Sequence, residues 1–293
     1  MKGKPMQRIS SIGRTKEIIE KYNFRFSKSL GQNFLVDGNT IDKIVASGGI
    51  GPGDNVLEVG PGIGTLTQML CEEAGKVVAI EKDRSLIPIL KNDTLKGYEN
   101  LTVLHGDILK EDIKSITNEC FGGQPFKLVA NLPYYITTPI IMRFLEEDLP
   151  VTDILVMIQK EVAERIEAVP ATKSYGALSV AVQYYAEPEI MGIVPKHVFM
   201  PSPKVDSIII RLRVREEPPV QLKDKKLFFE TVKASFAMRR KTLYNTLRKT
   251  LPYGQELISE ALERSGIDPK RRGETLSIEE FATLSNEIYK LAN

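Results

Sequence analysis

The residues with the most definite chemistry are Asn131-Leu132-Pro133-Tyr134, which follow an apolar run ending at Ala130. An exocyclic amine on an adenine-like ring is a poor nucleophile, because its lone pair is delocalised into the ring. A protein that makes it react must hold both amino hydrogens with acceptors. The Asn131 side-chain oxygen and the Leu132 carbonyl, freed from a strand ladder by the missing N–H of Pro133, are two such acceptors, and Tyr134 can stack on the base. A strand-terminating turn is the plainer alternative for the same four residues.

Three further segments suit a nucleotide-like ligand. Val56-Leu57-Glu58-Val59-Gly60-Pro61-Gly62-Ile63-Gly64 is an apolar strand running into a glycine turn, where backbone can approach a ligand closely. Glu81 closes the next apolar run about 20 residues on, the distance at which a carboxylate can accept both hydroxyls of a ribose. A solvated carboxylate is the alternative. The glycines Gly60, Gly62 and Gly64 are spaced G-x-G-x-G, and Thr65 stands where a dinucleotide fingerprint needs its third glycine, so pyrophosphate binding is disfavoured. Asp107, in Leu104-His105-Gly106-Asp107-Ile108, can accept from a ligand's exocyclic amine, or it can cap a helix. His105 reads as a strand-end packing residue.

Such residues must be held at the ends of strands, and the apolar pattern supplies them. Asn55–Val59, Val77–Ile80, Leu101–Leu104, Lys127–Ala130 and Ile154–Ile158 read as buried strands, alternating with helical stretches at 39–48, Leu66–Glu73 and Leu86–Leu90. This βαβ alternation predicts an α/β fold, with a Rossmann-like, mostly parallel sheet covered by helices on both faces. Runs at 180–186 and 207–214 follow each other without a comparable helix and predict an antiparallel edge. Glu216-Glu217-Pro218-Pro219 reads as a linker. Beyond it Leu227–Leu251, Gln255–Ser265 and Ser277–Leu291 have helical period, predicting a small C-terminal all-helical domain. The expected division is a basic N-terminal extension at 1–30, a catalytic domain at 31–216 and the helical domain at 217–293.

The chain has 293 residues, is 42% hydrophobic and 27% charged, and carries 21 Gly and 17 Pro, which excludes collagen-like, disordered and coiled-coil classes. No apolar run approaches the ~20 residues of a membrane span and the start lacks the apolar stretch of a secretory signal, so a cytoplasmic protein with no membrane partner is expected. Two cysteines, Cys71 and Cys120, and two histidines cannot build a metal site, so no metal is expected. The formal net charge of +2 conceals a segregation: +6 over residues 1–30, −10 over 31–195 and +6 over 196–293. Basic ends around an acidic middle suit a protein that binds a polyanion and does chemistry at its centre. In the segment Leu227–Leu251, Phe229, Val232, Phe236, Leu243 and Leu247 share a stripe, with Lys233, Lys241 and Arg248 beside it. Arg240 falls on the apolar stripe; either it reaches out or the helix is interrupted near Met238.

Taken together these segments resemble Class I S-adenosylmethionine-dependent methyltransferases that act on an exocyclic amine. Gly31-Gln32-Asn33-Phe34-Leu35, Asn131-Leu132-Pro133-Tyr134, Phe199-Met200-Pro201-Ser202-Pro203-Lys204-Val205-Asp206-Ser207 and Phe236-Ala237-Met238-Arg239-Arg240-Lys241-Thr242-Leu243 occur in order. That set, spanning roughly residues 22 to 290, is similar to the ribosomal RNA adenine N6,N6-dimethyltransferase family in its bacterial small-subunit form. The resemblance implies S-adenosyl-L-methionine as donor, with Asn33, Leu35, Gly60, Gly62, Glu81, Asp107 and Asn131 around it. It implies Asn131, Leu132, Pro133 and Tyr134 at the target amine, and Tyr134 and Phe199 stacking a flipped adenine. Lys233, Arg239, Arg240, Lys241 and Arg248 would contact RNA. The implied partner is 16S rRNA in the small subunit or its precursor, met by a monomer. The large-subunit antibiotic-resistance methyltransferases and a non-catalytic RNA-binding assembly or transcription factor are the alternatives; Gly266-Ile267-Asp268-Pro269 and Arg272-Gly273-Glu274-Thr275-Leu276-Ser277 resemble the small-subunit group.

Overall fold

Apolar runs too short for helices and separated by helical stretches can bury both faces only as neighbouring parallel strands. The computed structural model describes residues 8–27 and 30–293. Its strands are β1 (Phe34–Leu35), β2 (Asn55–Val59), β3 (Lys76–Glu81), β4 (Leu101–His105), β5 (Phe126–Asn131), β6 (Val151–Gln159), β7 (Ala186–Val194), β8 (Phe199–Met200) and β9 (Ser207–Val214). Seven of them form one sheet in the order β4-β3-β2-β5-β6-β9-β7. The first five of that order are parallel, and β9 runs antiparallel to β6, pairing Asp153 with Arg213 through Gln159 with Ser207. From β2 the chain builds outward through β3 and β4, then returns to add β5 and β6 on the other side. The carboxyl ends of β2 and β5 therefore flank the point where the order reverses, the place at which open α/β sheets hold ligands.

The helices are α1 (Ile12–Lys21), α2 (Gly38–Ser47), α3 (Thr65–Glu73), α4 (Ile87–Ile89), α5 (Ile113–Phe121), α6 (Thr137–Glu146), α7 (Lys160–Glu167), α8 (Ala177–Tyr185), α9 (Lys225–Ser235), α10 (Leu243–Thr250), α11 (Gln255–Arg264) and α12 (Ile278–Ala292). The chain divides into two units: one runs to Ala163 and takes back Glu189–Val214, and the other joins Glu164–Pro188 to Arg215–Asn293.

Three expectations are corrected here. The run at 180–186 is helix for all but its last residue: α8 occupies Ala177–Tyr185 and the edge strand β7 starts at Ala186. A short apolar run with two valines reads equally as strand or helix. Packing decides it, since Val180 and Tyr184 are buried with Phe228 and Val232 in the helical unit's core. The same core explains why Glu164–Pro188 belongs with the C-terminal helices: the Tyr175 hydroxyl donates to the Leu276 carbonyl at 2.9 Å, and the Ala171 amide to the Glu274 carbonyl at 2.8 Å.

The second correction concerns the N-terminus. Residues 8–27 of the supposed extension pack into the sheet unit, with Ile9, Ile18 and Phe24 buried beside Phe34, Ile63 and Leu90. Ser11 caps α1, and Asp93 accepts from Arg14, Lys21 and Tyr22 at 3.1, 2.6 and 3.0 Å. The Lys21 ammonium beside it holds the Asp93 carboxyl below its ordinary range. Residues 1–7, 28 and 29 lie outside the described residues. The third correction is in the C-terminal segment: Leu227–Leu251 is two helices, α9 and α10, with a turn between Phe236 and Thr242.

Candidate active site

One cleft in the sheet unit, holding about 1040 Å³ of space with its open mouth included, gathers the carboxyl ends of β2, β3, β4 and β5. Asn33, Leu35, Gly60, Gly62, Glu81, Asp107, Asn131, Leu132, Pro133, Tyr134 and Phe199 all line it. Sequence positions as far apart as 33 and 199 meet because β1 pairs antiparallel with β8, Leu35 opposite Phe199 and Phe34 opposite Met200.

The floor is the turn after β2. Gly60 has φ +70, a left-handed conformation that side chains resist, and a Cβ there would meet no protein atom within 4 Å. The space above it is open to a ligand. Gly62 also has φ +61; a Cβ there would stand 3.0 Å from the Phe34 ring, so the roof closes directly on this glycine. The Gly62 amide donates to Glu81 Oε2 at 3.1 Å and the Asp83 amide to Oε1 at 2.7 Å. Glu81 is buried, which pushes its carboxyl up to about 7 against the pull of the Asp83, Gly62 and Lys82 amides. The solvated alternative for this residue is thereby closed, and the carboxyl lines the cleft.

At the end of β4, Asp107 accepts from Leu109 N at 3.2 Å and pairs with Lys82 Nζ at 3.0 Å. Burial raises its carboxyl, but the Lys82 ammonium and the Leu109 amide outweigh that and hold it below the ordinary range. It does not cap α5, whose cap is Asp112. At the end of β5, Asn131 Nδ2 donates to the Asn33 carbonyl at 3.0 Å, which turns Oδ1 away as an acceptor. The Leu132 amide donates to Met157 at 3.2 Å, and its carbonyl receives no described backbone donor. Tyr134 is half-buried and its hydroxyl shares a 2.9 Å hydrogen bond with Ser207 Oγ, fixing the ring; burial raises its pKa. Phe199 is 5% exposed and packs in the sheet core with Leu35 while lining the cleft.

Four contributors escaped the sequence reading. Phe34, buried in a cluster with Phe24 and Phe26 at ring distances of 5.6 and 5.0 Å, forms the roof. Gln32 ties the roof segment down, its Nε2 donating to Asp83 at 2.7 Å and its Oε1 accepting from Ser27 N at 2.7 Å. Tyr135 lines the mouth. Glu58 is 2% exposed on the cleft wall, a buried carboxyl beside the buried Thr67 hydroxyl. Its signal was visible, a carboxylate inside an otherwise apolar strand directly before the glycine turn.

In the helical unit, the turn between α9 and α10 exposes Arg239, Arg240 and Lys241, with Lys233 exposed on α9 and Arg248 half-buried over the Tyr244 ring at 5.8 Å. The interruption removes the apparent conflict at Arg240, which stands on a turn and not on an apolar helical stripe. Arg239 Nη2 donates to the Lys173 carbonyl at 2.9 Å, and Thr242 caps α10. The turn is braced from the other side by Leu243 N, which donates to the Arg271 carbonyl at 2.6 Å.

The family model for ribosomal RNA adenine dimethylases matches residues 23–290. The chain belongs to that family. Among its relatives, a ribosomal RNA small subunit methyltransferase A of Clostridioides difficile is 59% identical over 283 residues, 97% of this chain and 98% of that one. Among solved structures, a dimethyladenosine transferase from Plasmodium falciparum has a TM-score of 0.76 at 27% identity, covering 88% of this chain and 98% of its own. The 23S rRNA methyltransferase ErmE has a TM-score of 0.66 at 28% identity, covering 87% and 99%. This member of the dimethylase family is a Rossmann-like, S-adenosyl-L-methionine-dependent methyltransferase of rRNA adenine.

The cleft of this dimethylase fits that donor on its own terms. The open space over Gly60 and the buried carboxyls of Glu81 and Glu58 on the cleft wall suit a ligand that carries hydroxyl and N–H donors. Among the described residues no cluster of three metal-ligating side chains occurs, and no helix is long and apolar enough to cross a membrane.

The two buried carboxyls also make the ligand-free protein sensitive to pH. Burial pushes Glu58 up to about 8 and Glu81 to about 7, against 4.5 for the ordinary carboxyl. Between these limits the folded chain holds protons that the unfolded chain has released, so stability falls as pH rises, by up to about 1.4 kcal/mol per pH unit for each group. Glu58→Gln removes one proton from this linkage and is expected to flatten the decline. Denaturant midpoints for both proteins from about pH 5 to 9 check this; parallel curves would mean that Glu58 is already ionised in the folded state.

Proposed function

We propose that the enzyme methylates the N6 amines of two adjacent adenosines in the 3′-terminal hairpin loop of small-subunit (16S) rRNA, giving N6,N6-dimethyladenosine, and so takes part in small-subunit biogenesis. The observation that carries this reading is the 59% identity, over 97% of the chain, to a small-subunit methyltransferase, against 28% to the 23S enzyme. In this reading the protein acts in the cytoplasm as a monomer.

Bound in the cleft, S-adenosyl-L-methionine supplies a methyl group on a positively charged sulfur. Glu81 accepts from the donor's ribose, Asp107 from its adenine amine, and Asn33, Leu35, Gly60 and Gly62 enclose it. Asn131 Oδ1 and the Leu132 carbonyl take the two hydrogens of the target amine, so that the nitrogen lone pair is left free. Tyr134 and Phe199 flank the base. No side chain at Asn131–Tyr134 is a strong base, and none is needed. Alignment of two reactants contributes about 7–11 kcal/mol, whereas general base catalysis contributes 10²–10⁴-fold, about 3–5 kcal/mol.

Exposed Arg239, Arg240 and Lys241, with Lys233 and Arg248, hold RNA phosphates and position the substrate, while the flipped base carries identity. Replacing Arg239 and Lys241 by alanine is expected to weaken RNA binding and to reduce the slope of log affinity against log salt by about 1.4–1.8. An unchanged slope would remove the turn from the interface.

The assay for the whole reading incubates purified protein and labelled donor with unmethylated small subunits or with large subunits lacking the modification. Dimethyladenosine confined to small-subunit RNA supports it. Label only in large subunits assigns the chain to the resistance type, and no label with donor binding intact assigns a non-catalytic binder.

A further inference from the structure

Of the ten tyrosines and eleven phenylalanines in the chain, one described aromatic side chain is exposed, and it stands at the mouth of the active-site cleft. Tyr135 is 53% exposed. It directly follows Tyr134 in a short 3-10 turn, Tyr134–Ile136. Successive side chains in such a turn diverge by about 120°. Tyr134 is accordingly anchored inward on Ser207, and Tyr135 is turned to the rim.

One side of the ring rests against the Gly31 backbone. Gly31 has φ +59, and a Cβ there would lie 3.3 Å from both Cδ1 and Cε1 of Tyr135 and 3.6 Å from Cβ of Pro133. Backbone without a side chain thus backs the ring, while about half of the residue faces solvent. The Lys82 ammonium, itself half exposed and bound to Asp107 at 3.0 Å, lies within electrostatic reach of the Tyr135 hydroxyl. An exposed ring backed by backbone beside a cation is how proteins hold an unpaired nucleotide: a π-face for the base and a charge for its phosphate.

We propose that Tyr135 is the stacking platform for the nucleotide adjoining the flipped adenosine, holding the second adenosine of the pair in place while the first occupies the cleft. This rests on the reading of the enzyme as an rRNA adenine dimethylase. Tyr134 and Tyr135, neighbours in the chain, then serve neighbouring bases in the strand. Glycine at position 31 becomes part of the device, because any side chain there would press on the ring.

The test compares the full-length wild type with Tyr135→Ala, Tyr135→Phe and Tyr135→Leu. Unmethylated small subunits serve as substrate, and a synthetic 3′-terminal hairpin carries 2-aminopurine beside the target adenosine. Loss of one base stack predicts a rise in KM for small subunits of about tenfold in Tyr135→Ala. Its kcat should hold, its donor affinity should be unchanged, and the 2-aminopurine quenching seen with wild type should disappear. Tyr135→Phe should behave as wild type and Tyr135→Leu as Tyr135→Ala. Quenching that persists in Tyr135→Ala, or that is absent with the wild type, overturns the proposal. So does a proportionate loss of donor affinity, which would make Tyr135 a cover for the donor, or failure of Tyr135→Phe, which would place the role in the hydroxyl. Wild-type methylation of the same subunits reports separately on the dimethylase reading: its absence there sinks that reading, whereas a normal wild type with indifferent variants sinks this proposal alone.

Discussion

Asn131→Ala is expected to lower the single-turnover rate of methyl transfer by about 10²–10³-fold, the usual effect of removing one oriented hydrogen-bonding group from a reacting centre. Donor affinity should fall by no more than about tenfold. The difference follows from what each end of the side chain does. Nδ2 donates to the Asn33 carbonyl at 3.0 Å and so holds the roof segment; losing a neutral hydrogen bond costs about 0.5–1.5 kcal/mol. In the proposed mechanism Oδ1 is the acceptor for a hydrogen of the target amine, which alanine would leave unheld. Asn131→Asp tests the same division from the other side, because it retains acceptors and removes the donor. Rapid-quench rates and calorimetric donor affinities measured on the same preparations decide the matter. Equal losses in both quantities would reduce Asn131 to a roof fastener.

The complementary expectation concerns Glu81. Glu81→Ala should weaken the donor by about 10²–10⁴-fold, since two hydrogen bonds to a charged acceptor contribute about 1.5–3 kcal/mol each. The ligand-free protein should not suffer in the same way. Its buried carboxyl is pushed up to about 7, so at neutral pH the side chain sits near the edge of an unfavourable ionisation that alanine abolishes. The variant is therefore expected to melt near the wild type without donor and to lose the rise in Tm that saturating donor gives the wild type. A variant that melts far lower without ligand would show instead that the bonds from Gly62 and Asp83 make Glu81 chiefly a fastener of the glycine turn.

The Asn131 and Glu81 expectations separate because the two residues sit on opposite sides of the reversal in strand order, one at the end of β5 and the other at the end of β3. Much of this was legible in the chain. Parallel strands buried on both faces must be apolar throughout, so β2 to β6 stand out, and residues that line a cleft at the strand ends must follow the last apolar position, as Gly60, Glu81, Asp107 and Asn131 do. The order of strands in the sheet has no such local signature.

What the amino-acid sequence determined by itself is the five parallel strands β2 to β6, the glycine turn after β2, the position of Asn131 and Leu132 at the end of β5, and the segregation of basic residues. Each is a local matter, readable from residue type and period. What only the tertiary structure decided depends on partners distant in the chain. Phe34 became the roof because β1 pairs with β8, about 165 residues away, and closes on Gly62. The apolar run at 177–185 became helix because Phe228 and Val232 supply its other side. Residues 8–27 became part of the sheet unit because Asp93 and the Phe24–Phe34 cluster receive them. Glu58 and Glu81 acquired raised pKa values from burial, which no single-residue preference encodes. Local chemistry dictates which groups are offered, and long-range burial dictates which of them face one another.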